Sequence, residues 1–135
     1  MSAGLTRLER WERRLKRVFD EIDAEFEAEG HCARYTRHPA RPPAATTSNP
    51  EDDGLFDIGA AFSVGIGSQH GPGYVVQARI ATLDNVPKAT QRKFEDEVAR
   101  RLRKKLPAAF PGVELHVDRD GPVYKIHGDL SLGQA

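Results

Sequence analysis

The hydrophobic period of this chain changes three times along its length, and those changes limit what it can fold into. Leu8, Trp11, Leu15, Val18, Phe19, Ile22 and Phe26 recur three and four residues apart, the spacing that lines side chains along one face of an α-helix. Thr6 and Glu9 stand at the separation of a capping box, and Gly30 offers a left-handed stop, so a helix over residues 7–29 is predicted, about 34 Å long. Its apolar stripe is wider than a two-position seam, which suits packing on a sheet.

From Ile58 the interval drops to two. Ile58, Ala60, Phe62, Val64 and Ile66 fall on one side, with Gly59, Ala61, Ser63, Gly65 and Gly67 on the other. After a turn-rich Ser68–Gly73, Tyr74, Val76, Ala78 and Ile80 alternate with Val75, Gln77 and Arg79, which predicts a hairpin. The glycine face implies close approach by a neighbouring helix or subunit. Helical spacing then returns in Phe94, Val98, Leu102 and Leu106, with Asp84 or Asn85 as cap, Pro87 in the first turn and Pro107 as terminator. Beyond Gly112, period two resumes in Val113, Leu115 and Val117 and again over residues 123–127.

The resulting order is α-β-β-α-β-β. Each hairpin has one apolar and one polar or small face, so the expected architecture is α+β, a four-stranded antiparallel sheet with helices packed on one face. The 135 residues fit one domain, in which a ββαββ unit spans residues 56–128. Between helix and first strand, residues 38–54 hold Pro39, Pro42, Pro43 and Pro50 without periodicity and are expected to form an exposed loop. In the last hairpin Pro122 has no amide hydrogen to close a tight turn, which predicts a loose loop over 119–122. Leu115 would then oppose Ile126, Val117 oppose Tyr124, Glu114 meet His127 and His116 meet Lys125.

Composition narrows function mainly by exclusion. Twenty basic against twenty acidic residues leave no net charge, so any affinity for a polyanion must be local. No apolar run approaches the length of a membrane span or a signal-peptide core, and the lone Cys32 cannot form an internal disulfide, so a cytoplasmic setting is expected.

Motifs of chemistry are sparse. Gly65, Gly67 and Gly71 lie in a hairpin and open no helix, so they make no dinucleotide fingerprint. His31, Cys32 and His38 lack the second ligand pair of a zinc site, and Asp118 and Asp120 lack the rest of a calcium loop. Glu114, His116, Lys125 and His127 would cluster on the outer sheet face, where cross-strand polar pairs are the ordinary arrangement. No catalytic residue, cofactor or metal ligand is assigned.

Two charge patterns remain. Arg92, Lys93, Arg100, Arg103 and Lys104 form a basic ridge on the second helix, opposite its apolar stripe, suited to phosphates or an acidic surface. The first helix runs against its own dipole, basic from Arg7 to Arg17 and acidic from Asp20 to Glu29. An antiparallel partner would relieve that arrangement. A second copy of the helix is the expected partner, with Trp11, Arg13, Arg14, Arg17, Ile22 and Phe26 at the contact. The sequence therefore reads as a non-enzymatic interaction or accessory domain that pairs with itself and an unidentified protein. RNA binding through the second helix is the alternative.

Overall fold

The computed structural model describes residues 6–130 and realises that element order. Helix α1 spans Arg7–Glu29, strand β1 Phe56–Ser63, β2 Gly73–Ile80, helix α2 Lys88–Ala109, β3 Leu115–Asp120 and β4 Val123–Gly128. The capping box at α1 forms in full: Thr6 Oγ1 accepts from the Glu9 amide at 3.0 Å while the Thr6 amide donates to Glu9 Oε1 at 2.9 Å. Gly30, at φ +69°, ends the helix, and the His31 amide reaches back to the Phe26 carbonyl at 3.0 Å.

The antiparallel sheet has the order β1-β2-β4-β3, and both helices cover one face. Leu15, Val18, Phe19, Ile22 and Phe26 of α1 and Phe94, Val98, Leu102 and Leu106 of α2 are buried against Phe56, Ile58, Tyr74, Ile80, Val117 and Ile126 of the sheet. Phe26, Phe56 and Phe94 pack mutually with ring centroids 5.2–5.5 Å apart, and Trp11 is wedged between Tyr74 and Phe110. The wide stripe of α1 thus serves the protein's own sheet.

Four local expectations are corrected. β1 stops at Ser63, and Val64 and Ile66 lie in the following loop, 63% and 92% exposed. Gly65 takes φ +86°, and a side chain there would meet the Gly71 carbonyl at 2.3 Å, so the chain turns away from strand geometry. α2 begins at Lys88 with Pro87 as an uncapped N-cap, and it runs through Pro107 to Ala109. Pro107 removes one helical hydrogen bond, yet the Phe110 amide still bonds the Leu106 carbonyl at 2.8 Å.

The last hairpin turns on Gly121 and Pro122 alone, and Asp120 pairs with Val123. Every partner is therefore two residues further along β4 than expected: Leu115 faces Gly128, His116 faces His127, Val117 faces Ile126 and Asp118 faces Lys125. The faces are as read, because a shift of two preserves them. Gly121 at φ +65° followed by a proline locked near −65° suits a type II′ turn, in which the flanking residues make the closing bonds and Pro122 needs no amide.

The proline-rich stretch is a loop whose side chains at 43–48 are exposed, but its backbone is pinned. Arg41 donates to the carbonyls of Glu51, Asp53, Gly54 and Phe56 at 2.7–2.9 Å, and buried Asp53 accepts from Ala45 and Thr47. A single 3-10 turn, Pro50–Asp52, brings the Glu51 carboxylate over Gly59, the close approach that the bare strand face implied.

Candidate functional site

Two polar regions lie on opposite sides of the domain, the solvent face of the helices and the outer face of the sheet. On the helical side, α1 and α2 pack antiparallel, as the order of their ion pairs shows. Glu21 meets Lys105, Glu25 meets Lys105 and Arg101, and Glu29 meets Arg101, at 2.6–3.2 Å. Arg101 also bonds Glu97 and lies 4.5 Å from the centre of the Phe26 ring, with only 12% of its side chain exposed. These contacts hold Glu25 and Glu29 below the usual carboxylate range, and Arg100 together with Arg101 brings Glu97 down to about 2. The acidic half of α1 thus finds an antiparallel partner in α2.

This arrangement redistributes the candidate contacts. Ile22 and Phe26 have no exposed surface, and Trp11 is half-buried in the core's edge, so these three leave no apolar centre for a second copy on α1. Arg14 donates to the Ala109 carbonyl at 3.4 Å and lies over Phe110. Arg13 and Arg17 are exposed and carry no salt bridge. Of the ridge on α2, Arg103 is tied to the Val117 carbonyl at 2.6 and 3.0 Å and Arg100 to Glu97 at 2.6 Å. Arg92, Lys93 and Lys104 are exposed without a salt bridge. Because the helices run antiparallel, the acidic half of α1 lies beside Arg101 and Lys105, and the basic half reaches the C-terminal end of α2, where Arg14 meets Ala109. Arg13, Arg14 and Arg17 thus gather at the end of the helical layer where α2 stops, Arg100 and Lys104 stand beside Glu21, Glu25 and Glu29, and Arg92 and Lys93 lie toward the opposite end.

On the outer sheet face, β3 contributes His116, Asp118 and Asp120, and β4 contributes Val123, Lys125 and His127. The loop between β1 and β2 folds over them. Lys125 is buried; its Nζ donates to Ser68 Oγ and to the Gly71 carbonyl, each at 2.8 Å, and pairs with Asp120 at 3.0 Å. Asp120 accepts from the backbone amides of Gln69 and His70, which with Ser68 and Lys125 hold its carboxyl well below the usual range. A side chain at Gly73 would stand 2.5 Å from the Ile126 carbonyl, so glycine is what admits β4 here.

The loop thereby delivers His70 to the face. Its ring stacks on His127 with centroids 4.4 Å apart, and its Nε2 contacts the Arg119 carbonyl at 2.9 Å. His127 Nε2 lies 2.9 Å from Asp118 Oδ2, a contact that lowers the pKa of that aspartate. Asp118 and Asp120 are therefore working strand residues rather than turn residues. Among the described residues, His70, Asp118 and His127 form the one group of ligand-type side chains close enough to share a cation. His31 pairs with Glu29 and His38 with the Ala40 amide, and burial pushes the Cys32 thiol up.

A family described as "Uncharacterised protein" matches residues 6–128, from the cap of α1 to the last residue of β4. The chain belongs to that family. A relative from Borreliella burgdorferi, also described as an uncharacterized protein, is 35% identical over 112 residues, covering 79% of this chain and 84% of its own. No solved structure matches. The family's span takes in both polar regions, and among the described residues no helix is long and apolar enough to cross a membrane.

Proposed function

We propose that this family member is a non-enzymatic interaction domain that docks an anionic partner, RNA, on the basic end of its helical layer. The observation that carries this reading is the antiparallel pairing of α1 with α2. That pairing occupies the acidic half of α1 with Arg101 and Lys105 and leaves Arg13 and Arg17 exposed beside Arg14 where α1 reaches the C-terminal end of α2. A protein partner would call for an apolar centre within that surface, and Trp11, Ile22 and Phe26 are withdrawn into the core. Phosphates need only the cations, and their binding draws on counterion release.

The variant R13Q/R17Q should lose retention of a labelled oligouridylate at low salt, whereas R92Q/K93Q at the opposite end should keep it. Equal retention by the two variants would remove the basic end from the account.

Self-association keeps a separate footing in the other hairpin. β1 is an edge strand, and Phe62, Val64 and Ile66 at its end are 48%, 63% and 92% exposed; an apolar edge of that kind favours pairing with a second copy. Sedimentation of wild type beside V64S/I66S tests it. The expected result is a dimer that weakens in the variant, and a wild type monomeric at high concentration contradicts it.

A further inference from the structure

We propose that His70, Asp118 and His127 bind one divalent transition-metal ion, with zinc as the type, on the sheet face opposite the helices. The site stands independently of the RNA reading. Three observations carry it.

The donor set is the first. Two imidazoles and one carboxylate place their ligand atoms within 4.8 Å of one another. Such borderline nitrogen donors select zinc-class ions over magnesium or calcium, which take oxygen.

The spacing is the second. Ligand atoms each about 2.0–2.1 Å from one ion stand about 3.0–3.4 Å apart. The His127–Asp118 pair, at 2.9 Å, needs to part by only a few tenths of an ångström. Asp118 is half exposed and sits on an edge strand, so it moves at little cost. His70 closes the remaining distance by a tilt of its ring on His127 that keeps Nε2 at the Arg119 carbonyl.

The surroundings are the third. A metal-binding histidine is normally oriented by a hydrogen bond from its second ring nitrogen. His70 Nε2 already sits 2.9 Å from the Arg119 carbonyl, which leaves Nδ1 for the ion. The backbone of His70 is itself held by Asp120, and its loop by buried Lys125. Three protein ligands leave the coordination open, as in zinc sites that retain a water. His116 lies nearby, its ring 5.4 Å from that of His127.

Isothermal titration with Zn²⁺ and visible spectroscopy with Co²⁺ test the site on the full chain. One equivalent should bind the wild type, and H70Q, H127Q and D118N should each weaken binding by more than about tenfold, since loss even of outer partners costs about 10–100-fold. H31Q and H38Q serve as controls and should bind as wild type does. Circular dichroism of each variant confirms that its fold is intact, and D118N, altering a half-exposed side chain, keeps the test open if a histidine variant misfolds. Absence of stoichiometric binding by the wild type, or undiminished binding by folded H70Q or D118N, overturns the proposal.

Discussion

Replacing Asp23 by Asn should stabilise the protein, and by more as the pH rises. Asp23 points from α1 into the core with 3% of its surface exposed, and its Oδ2 is the one buried side-chain polar atom among the described residues without a hydrogen bond. Burial first, then the nearby carboxylates of Glu27, Asp53 and Asp20, push its pKa up to about 8. The unfolded chain releases that proton near pH 4, so between about pH 4 and 8 the folded state binds more protons than the unfolded one. Stability from this group is complete below that window and is lost as pH rises through the folded value, at up to about 1.4 kcal/mol per pH unit. Asn carries no such dependence. Urea unfolding of wild type and D23N across the window should give curves that diverge toward alkaline pH, and parallel curves would contradict the assignment.

The second large effect is expected at Lys125, whose buried ammonium holds the β1–β2 loop to β4 through Ser68, Gly71 and Asp120. Substitution by Met keeps most of the side-chain volume but removes the charge and leaves Asp120 without its cation. Breaking a buried pair from one side costs about 3–5 kcal/mol, a fall in Tm on the order of 10 °C for a domain of this size. The loss should be local before it is global: the amides of Gln69 and His70 should exchange faster with solvent in K125M than those of α2. A variant within about 0.5 kcal/mol of wild type would show that the clamp contributes little.

Much of this fold was legible because the hydrophobic period is a direct record of which face each element buries. α1 from its cap to Gly30, the apolar sides of all four strands and the stripe of α2 followed from spacing alone. Other features depended on information that spacing does not contain. The reversed charge of α1 reads as asking for an antiparallel helix of a second copy, but periodicity cannot distinguish a helix of the same chain from one of another. Only the packing of both helices on one sheet face shows that Arg101 and Lys105 take that role.

The register of the last hairpin slipped by two because Pro122 was assigned to a position that needs an amide. A slip of two moves no residue to the other face, so the hydrophobic pattern could not reveal it. On the polar face, His116, Lys125 and His127 were identified from alternation. His70 was not, since it stands in a glycine-rich turn about fifty residues from its partners. It reaches them only because the sheet order β1-β2-β4-β3 places the β1–β2 loop over β3 and β4. Of the residues that hold that loop, Lys125 reads in the sequence only as an alternating polar position, and Asp120 falls within the loop expected over 119–122.

Phosphate binding at the end of the helical layer formed by Arg13, Arg14 and Arg17 is tested by the salt dependence of RNA affinity. For single strands the slope of log Kobs against log salt is about −0.7 per phosphate contact. Wild type should therefore show a steep linear fall, and R13Q/R17Q a slope shallower by about 1.4 together with weaker binding. No affinity for RNA at low salt, or an unchanged slope in the variant, would contradict the account.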